Sequence, residues 1–124
     1  MTDRDYKVLE HILNYCREIQ DTLRRFGPSL ESLLGDLDYK KSITLSLLQI
    51  GELSTQLSDE FRKTYNDIPW SDIRGIRNVI AHHYGALDDK VIFETATVDV
   101  PSLAQYAERL LAEHISGEEN HGRI

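Results

Sequence analysis

Apolar residues recur at helical spacing through the first part of the chain. Between Asp5 and Phe26 they fall three or four positions apart, which is the period of a helix that buries one face. The positions that form this stripe are Val8, Leu9, Ile12, Leu13, Tyr15, Cys16, Ile19, Leu23 and Phe26. Gly27-Pro28 predicts the end of the helix, and a short segment from Leu30 to Leu34 leads toward the next one.

A second long periodic run follows Gly35-Asp36. Its apolar positions are spaced by three, four and seven residues at Ile43, Leu47, Ile50, Leu57 and Phe61. We expect one long helix that packs lengthwise against the first, so that the two form an antiparallel hairpin. Gly51 in this run permits the close approach of another helix, and the neighbouring Glu52 is either solvated or paired with an arginine of a later helix.

The segment Asn66–Ser71 is a loop that predicts the start of a third main helix. Asp67 or Ser71 can cap that helix, and Pro69 is tolerated in a first turn. We expect Trp70 to close one end of the core, with its ring N–H bonded to a nearby carbonyl. The helix that follows carries most of the polar chemistry of the chain.

The remaining sequence predicts two shorter helical segments. Gly85 is expected to end the third helix, after which Asp88 can cap a short helix through Phe93. Asp99 with Pro101 is expected to open a last helix, whose apolar residues are Leu103, Tyr106, Ala107, Leu110 and Leu111. The hydrophobic pattern therefore continues at helical spacing to about residue 111.

No segment of the sequence has the alternating pattern of a strand, and no internal repeat is visible. The pattern predicts an all-α fold, an up-down bundle of four to five helices in a single domain spanning residues 1–115. Residues 116–124 lack an apolar period, and we predict a disordered tail there. A chain of 124 residues is long enough for one such core and too short for two.

Charge and cysteine content narrow the classes of function. The formal net charge is −7, which argues against a surface that holds nucleic acid by general attraction to phosphates. Any contact with RNA must therefore be local. The single cysteine, Cys16, excludes an intramolecular disulfide, and neither a signal-peptide pattern nor a long apolar run is present. We expect a cytoplasmic protein without a membrane span.

The octapeptide from Arg77 to Tyr84 concentrates a guanidinium, an amide, two imidazoles and a phenol within about two helical turns. Arginine offers a fixed positive fork for phosphate oxygens, and histidine can donate or accept a proton near neutral pH. These groups are sufficient to bind and cleave a phosphodiester without a metal. Arg77 and His82 are the candidate catalytic residues, with Asn78 as a supporting residue.

Helical angles divide the side chains of this segment into two faces. One stripe, expected to face the core, contains Ile73, Ile76, Ile80, His83, Tyr84 and Leu87. The adjoining arc resembles the floor of a pocket and contains Arg74, Arg77, Asn78, Ala81 and His82. Arg77 and His82 point roughly 140 degrees apart, so they meet only if the arginine bends over Ala81 or if a second subunit closes the site.

Structural interpretations of the same residues remain open. Arg77 can be a solvated helix cation and His83 a histidine at the edge of the core. Arg74 either forms a rim salt bridge with an acidic neighbour such as Asp72 or takes part in binding RNA. A metal site is disfavoured because the adjacent residues His82 and His83 diverge on a helix and no acidic partner lies at ligand spacing.

The composite pattern resembles the HepT-like subgroup of the HEPN superfamily. The resemblance covers most of the chain and rests on Gly51-Glu52-Leu53, Ile68-Pro69-Trp70, Ile73–Asn78 and Ala81–Tyr84. The family pattern has an arginine, four to six intervening residues and a histidine, with a tyrosine two places later in this subgroup. Arg77, His82 and Tyr84 match that pattern, and Asn78 matches the usual polar residue after the arginine. His83 also satisfies the looser spacing.

The resemblance implies a metal-independent ribonuclease that acts as the toxin of a toxin–antitoxin pair, without a cofactor. It further implies a homodimer in which two motifs face a shared cleft. The partner would be a nucleotidyltransferase antitoxin of the minimal MNT type, which neutralises the toxin by attaching AMP to the motif tyrosine, here Tyr84. A dimer would also bring Arg77, Arg74 and their copies together in one groove of an acidic protein.

A function of another class fits the same residues. The chain can be a non-catalytic helical subunit that binds a nucleotide or a nucleotidyltransferase, with the motif holding phosphate but cleaving nothing. The two functions differ in one expected result, since cleavage of RNA depends on His82 whereas binding need not.

Overall fold

The structure is a computed structural model that describes residues 2–83, 85 and 87–122, with side chains up to residue 115. Its helices are α1 (Asp3–Phe26), α2 (Leu30–Leu34), α3 (Leu37–Ser54), α4 (Asp59–Thr64), α5 (Trp70–His83), α6 (Asp89–Glu94) and α7 (Val100–Gly122). A π-helical turn, Thr95–Asp99, joins α6 to α7. The described residues contain no strand, and the predicted all-α bundle is confirmed, with more helical segments than the four to five expected.

The first helix begins in a capping box. The Thr2 hydroxyl accepts a hydrogen bond from the Asp5 amide at 3.2 Å, and the Asp5 carboxylate accepts one from the Thr2 amide at 3.3 Å. This arrangement starts α1 at Asp3, two residues before the predicted position. The helix ends at Gly27, whose φ of 100° lies in the region that favours glycine.

Helices α1 and α3 form the predicted antiparallel hairpin. At one end, the Tyr39 hydroxyl donates to the Gly27 carbonyl at 2.9 Å. At the other end, the buried Asp5 carboxylate accepts hydrogen bonds from the amide and hydroxyl of Ser58 at 2.8 and 2.7 Å. Burial alone would raise the pKa of Asp5, but the bonds from Ser58 and Thr2 outweigh burial and lower it. The two long helices are thus fixed at both ends.

The second apolar run is not one long helix as predicted. Helix α3 ends at Ser54, whose hydroxyl donates to the Gly51 carbonyl at 2.7 Å, and α4 begins after Ser58. The Ser58 hydroxyl accepts from the Phe61 amide at 3.1 Å and caps α4. Serine side chains compete with helical backbone hydrogen bonds, so the run breaks here. Leu57 remains buried across the break.

The last two helices begin close to the predicted positions, but no non-helical segment separates them. Asp88 caps α6 as expected, accepting from the Lys90 amide at 2.9 Å. The backbone then continues through the π-helical turn, in which the Val100 amide donates to the Thr95 carbonyl. The wide turn leaves room for the ring of Pro101 within a continuous helical path. It also tolerates the absence of a backbone N–H at this proline.

The backbone of α7 is helical to Gly122, and no side chain beyond residue 115 is described. The domain boundary at residue 115 and the disordered tail therefore stay predictions. None of the helices in the described part of the chain combines the length and the apolar character that a membrane span requires.

Candidate active site

Helix α5 begins where the loop before it is fixed to the core. The Pro69 carbonyl accepts from the amides of Asp72 and Ile73, both at 3.1 Å, and so starts the helix. Trp70 is buried, and its ring N–H donates to the Tyr65 carbonyl at 2.9 Å, as predicted. Neither predicted cap lies at the start of the helix: the Asp67 carboxylate accepts a hydrogen bond from the Tyr106 hydroxyl across the bundle, and Ser71 lies inside α5.

The polar face of α5 forms one wall of a surface depression. This Arg77 depression has a volume of about 430 Å³ and is lined by Thr55, Ser71, Arg74, Gly75, Arg77 and Asn78. Three of the four residues predicted to be catalytic or supporting on the arc, Arg74, Arg77 and Asn78, therefore share one polar surface. The fourth, His82, does not line it.

A glycine brings α3 and α5 together beneath the depression. A Cβ atom built on Gly51 would lie 2.5 Å from the Arg77 Cβ and 3.2 Å from the Ile73 carbonyl oxygen. Real Cβ atoms do not approach that closely, so glycine is needed at this position for the observed packing. The predicted role of Gly51 is confirmed, and it sets Arg77 directly against α3.

This contact predicts that Gly51→Ala destabilises the fold. Overpacking a close contact costs about 1–3 kcal/mol, and the upper part of this range applies to a contact with Cβ and backbone atoms, so it exceeds the gain of about 1 kcal/mol from replacing a helical glycine by alanine. Urea unfolding should therefore give a lower free energy of unfolding for Gly51→Ala than for wild type. The matched control is Gly75→Ala on α5, where an added Cβ meets no atom within 4 Å. Equal stability of the two variants would contradict the contact.

Arg77 is held by two neighbours. Its Nε donates to Glu52 Oε1 at 2.7 Å, and its Nη1 donates to Asn78 Oδ1 at 3.0 Å. The alternative in which Glu52 pairs with an arginine is thus the correct one. Both partners of the ion pair are about two-fifths exposed (36% and 42%), so the pair contributes at most about 1 kcal/mol to stability.

The ion pair between Arg77 and Glu52 therefore serves mainly to orient the guanidinium. With Nε fixed by Glu52, the planar group has a defined direction beside the depression. Among the described residues, the Nη2 group of Arg77 has no protein acceptor. The bond to Asn78 Oδ1 also leaves the amide N–H groups of Asn78 free to donate. The site thus presents fixed hydrogen-bond donors, as an anion requires.

The two histidines both lie at the exposed end of α5. His82 is exposed in the last turn, one turn above Asn78, and does not line the Arg77 depression. His83, predicted to lie on the core stripe, is also exposed, although Ile80 on the same stripe is buried. The reason is that α5 ends at His83, and Leu87 and Ile92 supply the apolar packing at that end.

Tyr84, the predicted modification site, lies outside the described residues. Within residues 2–83, 85 and 87–122, no group of three or more histidine, cysteine or acidic side chains is arranged to hold a metal ion. The exposed polar face of α5 carries guanidinium, amide, hydroxyl and imidazole groups.

A family model described as "Ribonuclease HepT-like" matches residues 12–110, which include the helical core and the whole motif helix. The chain belongs to the HepT-like ribonuclease family. The resemblance noted in the sequence is thereby confirmed at the level of the family.

Relatives of this HepT-like chain carry ribonuclease descriptions. A "Putative RNase" of Caldanaerobacter subterraneus subsp. tengcongensis is 32% identical over 110 residues, covering 89% of this chain and 95% of that protein. A "Probable ribonuclease HepT" of Thermococcus cleftensis is 29% identical over 107 residues, covering 86% and 94%. A "Putative RNase" of Methanocaldococcus jannaschii is 26% identical over 121 residues, covering 97% and 98%. No solved structure matches the chain.

The structure adds two residues to the predicted site of this HepT-like chain. Ser71 lines the Arg77 depression one turn before Arg74. It is three residues before Arg74 and seven before Asn78, and this helical spacing could have placed it on the same face in the sequence. Thr55 lines the opposite wall just after α3. No sequence signal indicated Thr55, because its position depends on where α3 ends.

Proposed function

We propose that this chain is a metal-independent RNA endonuclease that acts as the toxin of a toxin–antitoxin pair. Membership of the HepT-like ribonuclease family supports this function, as do the descriptions of its relatives. The single observation that carries it is the fixed guanidinium of Arg77, bonded to Glu52 and Asn78 beside a polar depression on an acidic protein.

In the proposed reaction, the 2′-hydroxyl of RNA attacks the adjacent phosphorus. A new bond from O2′ to phosphorus forms while the bond from phosphorus to O5′ breaks. The products are a 2′,3′-cyclic phosphate and a 5′-hydroxyl. O2′ loses one proton and O5′ gains one. His82 transfers one of these two protons. Arg77 stabilises the negative charge on the phosphoryl oxygens, and Asn78 orients the phosphate.

The site is proposed to be completed by a second copy of the chain. Arg77 lies against α3, whereas His82 is exposed at the end of α5 and does not line the Arg77 depression. Beside the motif, Val79 and Val91 are 45% and 54% exposed and line an apolar groove with Ile76, Ile80 and Leu87. Burial of these residues in a homodimer would remove apolar surface from water and bring two motifs together.

Regulation is proposed to follow the family pattern. A cytoplasmic nucleotidyltransferase of the minimal MNT type would attach AMP to Tyr84, two residues after His82. Each added nucleotide brings a negatively charged phosphate and considerable bulk to the end of α5. A cleft carrying that charge would repel RNA, which explains how the antitoxin would neutralise the toxin.

The test is cleavage of labelled tRNA and mRNA in EDTA by wild type and Arg77→Ala, after intact-mass analysis shows that Tyr84 is unmodified. Wild type should cleave and leave cyclic phosphate ends. Arg77→Ala should be about 10²–10³-fold slower, as when one preorganised donor to a charged transition state is removed. Absence of cleavage by unmodified wild type would favour the non-catalytic subunit that binds a nucleotide or a nucleotidyltransferase.

A further inference from the structure

A second depression adjoins the Arg77 depression on the surface of α4 and α5. This Lys63 depression has a volume of about 580 Å³ and is lined by Asp59, Arg62, Lys63, Asn66, Ile68, Pro69, Trp70, Ser71 and Arg74. Ser71 and Arg74 line both depressions. The two depressions are therefore adjacent, and we call the surface that they make together, from Arg77 past Arg74 to Lys63, the groove.

The charge along this groove is opposite to that of the whole protein. Four basic side chains line it, Arg62, Lys63, Arg74 and Arg77, against the single lining carboxylate of Asp59. The chain as a whole has a net charge of −7. A local cationic strip on an acidic protein concentrates polyanions at that strip and repels them elsewhere.

The four cations are not equivalent. Arg62 is only 18% exposed and is committed to the fold, because it pairs with Asp59 and donates to the Ser54 carbonyl at 3.4 Å. Arg77 is bound to Glu52. Within the described part of the chain, Lys63 and Arg74 take part in no salt bridge. Asp59, the one nearby acid in the groove, is already neutralised by Arg62, which with Lys63 and Arg74 lowers its pKa.

We propose that Arg74 and Lys63 form a phosphate-binding track for single-stranded RNA, which holds the strand on the Lys63 side of the scissile phosphate. The proposal rests on the proposed function, since it takes Arg77 as the group at the scissile phosphate. Arg74 and Arg77 are three residues apart on α5, so their Cβ atoms are about 5–6 Å apart and they can bind neighbouring phosphates. Lys63 then meets a phosphate further along the strand.

Two hydrogen-bonding side chains suit the track to an exposed nucleic-acid strand. Ser71 lies where the two depressions meet, and Asn66 is exposed at the far end. Trp70 lines the Lys63 depression but is only 5% exposed, so it offers little area on which a base can stack. Recognition here is therefore directed at the phosphate backbone and is insensitive to sequence. The track determines how long a strand the enzyme prefers and where the strand lies.

The test measures binding separately from cleavage. A fluorescent, fully 2′-O-methylated single-stranded RNA cannot be cleaved by attack of its 2′-hydroxyl, and fluorescence anisotropy in EDTA gives its Kd at several salt concentrations. We expect Lys63→Ala and Arg74→Ala each to raise Kd by about two- to fivefold, the range of an exposed ion pair. Each should also reduce the slope of log Kd against log salt by about 0.7, the value for one lost phosphate contact.

Matched controls separate the track from general charge. Lys41 is exposed on α3 and lines neither depression, so Lys41→Ala should change neither Kd nor the salt slope. A 2′-O-methylated dinucleotide has a single internucleotide phosphate, which the proposal places at Arg77, so Lys63→Ala should leave its Kd unchanged. Lys63→Glu should weaken binding of the longer RNA more than Lys63→Ala does. Thermal unfolding confirms that each variant is folded.

The outcomes for the track and for the nuclease are distinct. Unchanged Kd and salt slope in Lys63→Glu and Arg74→Ala, or no binding of the longer RNA by wild type, would overturn the track even if wild type cleaves RNA. Binding with the expected dependence on Lys63 and Arg74, together with no cleavage of unmodified RNA, would retain the track and overturn the nuclease.

Discussion

Replacing His82 by alanine is expected to lower the rate of RNA cleavage by about 10²–10⁴-fold, the usual contribution of one positioned acid or base. The imidazole is exposed at the end of α5, so its removal leaves no cavity and should not change the free energy of unfolding by more than about 0.5 kcal/mol. The loss should therefore appear in the single-turnover rate of cleavage, with the Kd for uncleavable RNA close to that of wild type.

The adjacent histidine provides the matched control. His83 has the same chemistry, is also exposed and is one residue away, yet it diverges from His82 by about 100 degrees around the helix. His83→Ala should retain most of the cleavage activity. A large loss in His83→Ala with full activity in His82→Ala would transfer the proton-moving role to His83, and equal activity in both variants would remove histidine from the mechanism.

Most of the helical architecture could be read from the sequence because apolar spacing reports directly on buried faces. Of the residues predicted for the stripe of α1, Ile12, Cys16 and Ile19 are completely buried. Apolar spacing also predicted correctly that Leu57 and Phe61 are buried, although it predicted one helix where the structure has two. Periodicity gives the burial of a residue, but it does not reveal that the Ser58 hydroxyl caps a new helix.

Features that depend on contacts between distant segments were less accessible. The pairing of Arg77 with Glu52 joins residues 25 positions apart and exists because Gly51 lets α5 approach α3. The sequence left this pair as one of two alternatives, since the register of the two helices is a tertiary property. The exposure of His83 was missed for a similar reason, because it depends on where α5 ends relative to the packed core.

A heterodimer of Arg77→Ala and His82→Ala subunits is expected to recover about half of the wild-type cleavage activity, although each homodimer is nearly inactive. If Arg77 of one subunit works with His82 of the other, one of the two sites in the heterodimer has both groups intact. The heterodimer can be isolated by co-expressing the two variants with different affinity tags and purifying on both tags. Recovery should thus raise activity about fiftyfold or more above either homodimer.

The inverse pairing gives an opposite expectation and makes the test decisive. A heterodimer of wild type with the double variant Arg77→Ala, His82→Ala contains no site with both groups if the sites are shared, so it should be nearly inactive. If each subunit instead holds a complete site, this heterodimer keeps about half of the activity and the first one has none. Failure to isolate either heterodimer would contradict the homodimer itself. Because Arg77 lies against α3 and His82 is exposed at the end of α5, the shared site is the outcome that the geometry favours.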